Sequence, residues 1–469
     1  MVKKARTVFV CQECGYESPK WMGQCICGAW NSFLEEKLTE PDPSGRADAR
    51  EALAAMSGRK ADVGTHRAVP LSGVTSGQRD RIDTGIDELN RVLGGGIVRG
   101  SITLIAGEPG IGKSTLILQT AAKIAKSAGT VLYVSGEESE EQIKMRADRL
   151  PDKISDDILI LAETNMESII EAVGSINPAF LIIDSIQTMY SRQLESAAGS
   201  VSQVRACTNS LMGVGKVLGI PVFMVAHVTK SGELAGPKII EHLVDCVLQF
   251  SGDRNQDFRI LRASKNRFGT TSEIGAFEMR EEGLAEIGNL SGSLLEGLEE
   301  AAEGAVATAV YEGTRPLLLE MQALTAPAGT GFPRRTALGV EPARLNMIIA
   351  VLERKAGLRL SEQDVYVNAV GGIRPEGTSV DLAVALAIYS SAKGLCLPAH
   401  TLVVGEVGLT GELRSVRGAD KIVRESVKLG FENIILPKKN IAKLNPPEGA
   451  RLIGVSGVRE SLALLITTH

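Results

Sequence analysis

The sequence predicts an α/β protein whose central domain is a mostly parallel sheet covered by helices, preceded by a small metal-held module and followed by an α+β domain. Three observations carry this. Residues 107–115 read GEPGIGKST, between an apolar run at 101–106 and a helical pattern at 116–125. Continuous apolar strand patterns alternate with amphipathic helix patterns over the following 150 or so residues. Four of the seven cysteines crowd the first 27 residues. A chain of 469 residues exceeds what one core serves, so two or three domains are expected.

The N-terminal cysteines are Cys11, Cys14, Cys25 and Cys27, two clustered pairs in a segment too short for a core of its own. Four thiolates close a tetrahedral Zn²⁺ site, so residues 1–38 read as a C4 zinc finger with a structural metal. The second pair is one residue shorter than the usual Cys-x₂-Cys. Cys207, Cys246 and Cys396 sit in apolar surroundings and read as inert buried thiols. Residues 39–80 are rich in Pro, Ser, Gly, Ala, Asp and Arg and read as a flexible linker.

The third segment, 81–285, is the expected nucleotide-binding domain. Strands are expected at 130–134, 157–161, 179–183, 221–226, 243–250 and 257–264, and helices at 114–127, 139–149, 166–174 and 200–218. In such sheets ligands gather at the carboxyl ends of the strands. The loop Gly107, Glu108, Pro109, Gly110, Ile111, Gly112, Lys113, Ser114, Thr115 has the composition that wraps backbone N–H groups around phosphates. Lys113 is placed to reach the β and γ phosphates and Ser114 to ligate Mg²⁺, so ATP is the expected ligand.

Two strand ends carry carboxylates. The run 180–183 is apolar and ends in Asp184, the pattern that supports Mg²⁺. The run 131–134 leads into Ser135-Gly136-Glu137-Glu138, where Glu137 reads as the base that activates water and Glu138 as an acid starting the next helix. The strand 222–226 ends in His227, a polar group placed to sense the γ-phosphate.

With these residues in place, the chain resembles the bacterial RadA (Sms) family. The resemblance is carried by GEPGIGKST, YVSGEES at 133–139, IIDSIQT at 182–188 and KNRFG at 265–269. It implies a RecA-like P-loop ATPase of recombinational repair, with an N-terminal zinc finger and a C-terminal domain, 286–469, similar to the Lon protease domain. It also implies a homo-hexameric ring in which Lys265 and Arg267 reach a neighbour's γ-phosphate. Single-stranded and branched DNA, the recombinase RecA and replication or repair proteins are the implied partners. The family's zinc module has two Cys-x₂-Cys pairs, so Cys25-Ile26-Cys27 departs from it.

A Lon protease needs a serine nucleophile and a lysine base. Ser379 falls where the serine stands, but Asp420 occupies the lysine's place, with Lys421 displaced by one. One residue on a helix rotates a side chain by about 100°. The dyad is therefore expected to be broken, and the domain to serve assembly and DNA binding, with Arg334 and Arg335 as phosphate contacts or a solvated turn. Other candidate DNA contacts are Arg254, Arg259 and Arg262, together with Lys230 and Lys238 around the Gly-containing loop at 229–237. Net charge is −5 and aromatics are 4%, so sequence-tolerant binding to the DNA backbone is expected. The N-terminus lacks a secretory apolar core and no run approaches a bilayer span, so a cytoplasmic protein without membrane contact is expected. Together these features predict a DNA-dependent ATPase that drives branch migration or unwinding. A Lon-type ATP-dependent protease and a non-DNA regulatory ATPase are the alternatives.

Overall fold

The computed structural model describes residues 6–13, 15–38, 81–151, 153–227, 239–252, 258–295, 301–312, 315–329, 332–372, 375, 377–445 and 447–467. The chain forms two compact units, Met1–Glu286 and Ile287–His469. The first unit begins with a three-stranded antiparallel sheet of β1 (Arg6–Cys11), β2 (Glu17–Ser18) and β3 (Phe33–Leu38), which holds the cysteines. Val8 and Val10 of β1 pack on Val201, at the start of the helix Val201–Leu218.

After the short strands β4 (Arg81–Ile82) and β5 (Ile97–Val98), β6 (Ile102–Gly107) runs into the helix Lys113–Ser127. Then come β7 (Val131–Ser135), β8 (Ile158–Ala162), β9 (Phe180–Asp184), β10 (Val222–His227), β11 (Cys246–Ser251), β12 (Phe258–Asn266), β13 (Ile274–Arg280) and β14 (Gly283–Glu286). Among the described residues the sheet order is β14-β13-β12-β11-β6-β10-β9-β7-β8. The strands from β11 to β8 are parallel, and β12, β13 and β14 extend the sheet antiparallel.

The sheet is apolar on both faces because both are covered. Phe180 and Ile182 point into one cluster with Leu116 and Ile117 of the helix behind the loop. Leu181 and Ile183 point into the other with Leu211 and Val214 of the helix Val201–Leu218. Alternate residues of one strand thus serve two cores.

Observed strands and helices fall within a few residues of the expectations. The expected strand 243–250 starts later, at Cys246, because Ile239–Leu243 forms a short helix. The pair β13 and β14 and the helix Asp87–Leu93 were not anticipated. That helix ends on Gly94 at φ 82° and packs against β13, with Glu88 accepting from the Ala276 N–H at 3.0 Å.

The second unit is built on β15 (Ala305–Glu312), β16 (Arg315–Pro327), β17 (Arg335–Leu338), β18 (Gln363–Ala369), β19 (Leu395–Cys396), β20 (Thr401–Val403), β21 (Glu406–Val407), β22 (Leu413–Arg414), β23 (Asn433–Pro437) and β24 (Arg451–Val455). Its main sheet, in the order β17-β18-β16-β15-β20-β23-β24, mixes parallel and antiparallel pairs. The buried helix Asp381–Lys393 and the amphipathic helix Ala419–Lys428 complete it. No helix among the described residues is long and apolar enough to cross a membrane.

Candidate functional site

The strand ends of the first unit converge. Register pairs His227 of β10 with Gly107 of β6, and Ser135 of β7 with Asp184 of β9. Residues distant in sequence therefore share one edge of the sheet.

The loop 107–115 turns tightly. A Cβ at Gly107 would sit 2.6 Å from the Phe250 carbonyl oxygen, and Gly112 caps the following helix at φ 109°, a conformation that only glycine adopts cheaply. Ile111 is buried, while Pro109 and Gly110 are exposed and Glu108, Ser114 and Thr115 half-buried. The loop thus faces outward at the start of a helix, where unsatisfied N–H groups and the helix dipole favour an anion.

Lys113 is buried, and its ammonium donates to the carbonyls of Gly107 at 2.8 Å and Glu108 at 2.9 Å. Its Nζ also lies 3.2 Å from Nδ1 of His227. Burial pulls the ammonium down to about 8, against the opposing pull of Asp184 and Glu137. On its other side His227 places Nε2 3.4 Å from Oε1 of Glu137. The same carboxylate accepts a hydrogen bond from the Ser185 hydroxyl.

Asp184 is nearly buried and accepts from the Tyr133 hydroxyl at 2.5 Å. Burial, and then the Asp184 charge, push the Tyr133 hydroxyl well above its ordinary value, so Tyr133 remains a donor. Carboxylate and hydroxyl oxygens are the hard donors that Mg²⁺ takes, so Asp184 and Ser114 suit that ion.

Lys113, Glu137 and Asp184 therefore lie at one site. Glu138 does not start the following helix as expected. It pairs with Arg146, while Ser139 caps the helix and Glu140 and Glu141 fill its first turn. Reading the sequence missed Tyr133, Ser185 and Gln187, whose Nε2 donates to the His227 carbonyl at 3.3 Å. Ser185 follows Asp184 directly, so the signal was adjacent. Tyr133 looked like one more apolar strand residue.

The KNRFG segment closes β12 and is held at several points. Lys265 donates to the carbonyls of Glu241 at 2.7 Å and His242 at 3.2 Å. Asn266 donates to Val92 and Leu93, and Arg81 donates to the Phe268 carbonyl at 2.7 Å. Arg267 is half-exposed and donates through Nη1 to Oδ1 of Asp245 at 3.2 Å.

In the N-terminal sheet module the Sγ atoms of Cys11, Cys25 and Cys27 lie within 4.8 Å of one another, and those of Cys11 and Cys27 are 3.9 Å apart. Tetrahedral Zn²⁺ with bonds of roughly 2.3 Å separates its sulfurs by about 3.8 Å, so the set fits the metal despite the shortened second pair. Cys14 lies outside the described residues.

The proposed DNA contacts fare differently. Arg259 is 6% exposed, with Nη1 on the Phe258 carbonyl, so it is not a surface cation. Arg254, Lys230, Lys238 and the loop 229–237 lie outside the described residues. Arg335 stitches a turn by donating to the carbonyls of Gln363 and Leu360, and Arg334 donates its N–H to Asp364 at 2.7 Å. For Arg335 this favours a structural turn.

In the second unit the Ser379 hydroxyl donates to the Ala309 carbonyl at 3.1 Å. Lys421 is exposed, donates to the Tyr311 hydroxyl at 2.8 Å and lies 5.5 Å from that ring's centroid. Asp420 is exposed in the first turn of its helix.

Three family models match the chain: an AAA domain over residues 69–233, the Mg-chelatase subunit ChlI over 339–440, and a rubredoxin metal binding domain over 9–35. Among curated relatives, the DNA repair protein RadA of Halalkalibacterium halodurans is 48% identical over 99% of both chains. RadA of Bacillus subtilis is 46% identical over 98% of both. RadA of Listeria monocytogenes is 45% identical over 98% of this chain and 99% of its own. Among solved structures, the RadB recombinase aligns with 44% of this chain and 99% of its own, at 21% identity and a TM-score of 0.36.

Proposed function

This chain belongs to the RadA family of DNA repair proteins, and on that premise we propose that it is a DNA-dependent ATPase that processes recombination intermediates by branch migration or helicase-like unwinding, as a ring. The convergence of Lys113, Glu137, Asp184 and His227 on one edge of the parallel sheet carries the reading.

The backbone N–H groups of 107–115 and the Lys113 ammonium receive the phosphates of ATP. Lys113 exchanges the Gly107 and Glu108 carbonyls and the His227 ring for phosphate oxygens. Asp184, oriented by Tyr133, and Ser114 would hold Mg²⁺, which would supply charge neutralisation for the phosphates. Glu137 takes a proton from the attacking water, the P–O bond to ADP breaks, and phosphate leaves. Ser185 and His227 hold the base in place meanwhile. Lys265 and Arg267 act on the adjacent subunit, stabilising charge that develops only in the transition state.

In this reading residues 1–38 are a structural C4 zinc finger, 39–80 a linker, 81–285 the motor and 286–469 a Lon-like platform for assembly and DNA. Single-stranded and branched DNA are the substrates, RecA and other repair proteins the expected partners, and the cytoplasm the expected location. The experiment is the ATPase rate with and without single-stranded DNA. Stimulation is expected, and a rate indifferent to single-stranded and branched DNA alike would favour the regulatory ATPase reading instead.

A further inference from the structure

We propose that Asp245 is a positioning residue that aims Arg267 at the neighbouring subunit's nucleotide. The inference rests on the reading of Arg267 as a cation acting in trans. Asp245 stands between the helix Ile239–Leu243 and β11, and it is 3% exposed. Its two carboxylate oxygens have separate duties. Oδ2 accepts from the Ile102 N–H at 3.1 Å, which opens β6, and from Lys216 at 2.8 Å. Oδ1 is left for Arg267.

The backbone doubles the connection. The Asp245 N–H donates to the Ile102 carbonyl at 3.0 Å, and the Arg267 N–H donates to the Asp245 carbonyl at 3.0 Å. Burial pushes the Asp245 carboxyl up, but the bonds from Lys216, Ile102 and Arg267 outweigh it and hold the group below its ordinary value. Asp245 is thus a fixed anion, registered on the strand that leads into the phosphate loop.

Arg267 needs such an anchor. Its side chain is 53% exposed, so an unheld guanidinium would sample many rotamers. The contact engages Nη1, and a guanidinium carries five N–H donors, so capacity remains for phosphate oxygens. Lys265 is anchored elsewhere, on the carbonyls of Glu241 and His242, so the two cations of the motif are aimed independently.

The test compares the full-length variants Asp245→Asn, Arg267→Ala and the double variant by steady-state ATP hydrolysis with DNA present. Asparagine keeps an acceptor for Ile102 and removes the charge that orients Arg267. Asp245→Asn should lower kcat on the order of 10²-fold, the cost of a misplaced group. The KM for ATP and the affinity for a non-hydrolysable ATP analogue should stay within about twofold. The double variant should be no slower than Arg267→Ala, because Asp245 acts through Arg267. Mixing Asp245→Asn with Lys113→Ala should restore turnover, since one supplies an intact phosphate loop and the other an aimed cation.

Wild-type or faster turnover by Asp245→Asn, or losses that multiply in the double variant, would overturn the inference while leaving the trans reading intact. Normal turnover by Arg267→Ala would overturn the trans reading itself, and the inference with it. If Asp245→Asn does not fold, Arg267→Lys decides. An ammonium is a point charge without the planar fork that Asp245 orients, so turnover should stay at the Arg267→Ala level, and recovery to the wild-type rate would overturn the inference.

Discussion

Each unit places a lysine at the start of a helix beside a mixed or parallel sheet, and the two lysines live in different worlds. Lys113 is buried between loop carbonyls and a histidine, close enough to Asp184 and Glu137 to feel both charges. Lys421 is exposed and leans on the Tyr311 ring. The candidate nucleophile of the second unit, Ser379, donates its hydrogen bond to a backbone carbonyl rather than to an amine. A fold therefore preserves positions more readily than chemistry. Chemistry needs the cation desolvated and a proton acceptor within reach, and only the first unit arranges both.

The carboxylates repeat the contrast. Asp184 meets a neutral tyrosine hydroxyl and keeps acceptor capacity for a cation. Asp381, more deeply buried and at a helix start, is locked by Arg344 and by the Val407 N–H at 3.1 Å. One carboxylate is kept for a ligand, the other is spent on the fold.

The sharpest way to break this comparison is to remove the buried lysine. Lys113→Ala should abolish ATP turnover, a loss of at least about 10²- to 10³-fold, because a preorganised cation at the developing charge disappears. Circular dichroism should be unchanged, since the lysine's partners are two loop carbonyls and the His227 ring rather than core packing. Wild-type turnover in the folded variant would sink the nucleotide-site assignment.

The second unit should respond in stability instead. Arg344→Met strands the Asp381 carboxylate in the interior, where breaking a buried pair costs about 3 kcal/mol. In calorimetry of the full-length chain, the transition that ATP does not shift should fall on the order of 10 °C, with ATP hydrolysis barely changed. An unshifted transition would mean that water reaches Asp381 and the pair is not structural.

Most of the first unit was legible because its patterns are local. Apolar runs such as 180–183 and 222–226 are strands in almost any context, and GEPGIGKST carries its own geometry. What escaped depends on pairing between distant segments. β13 is a strand because β12 offers it an edge, β14 because β13 does, and Asp245 is an anchor because β12 brings Arg267 back to it. Arg259 looked like a surface cation in a basic stretch, but strand alternation turned it inward. Glu138 falls one residue before the cap, since Ser139 caps better than glutamate and Arg146 claims the acid.

A smaller effect follows from the burial of Lys113. Its ammonium titrates near 8 in the free protein, and phosphates favour the charged form. Below that value the lysine is already charged and pH should not matter. Above it, binding must take up a proton, so ATP affinity should fall about tenfold between pH 7 and pH 9. Titration calorimetry in buffers of different ionisation heat would register the uptake. A flat affinity profile with no proton uptake would mean that the lysine stays fully charged without nucleotide, and that its burial matters less than the comparison holds.

The smallest expected effect sharpens the comparison from the other side. Ser379→Ala should leave ATP hydrolysis and DNA repair unchanged, and the purified protein should show no ATP-dependent peptidase activity. The hydroxyl's bond to the Ala309 carbonyl is worth about 1 kcal/mol, so the variant should lose little stability. A serine becomes a nucleophile when a base takes its proton, and at physiological pH a solvent-exposed lysine is charged and cannot. Asp420, the residue beside it, is also exposed. Casein is the substrate to try, with ATP and DNA present. Degradation that vanishes in Ser379→Ala would show that Lys421 can leave the Tyr311 hydroxyl and lose its proton near the serine. The second unit would then hold a working site, and the contrast between the two lysines would collapse.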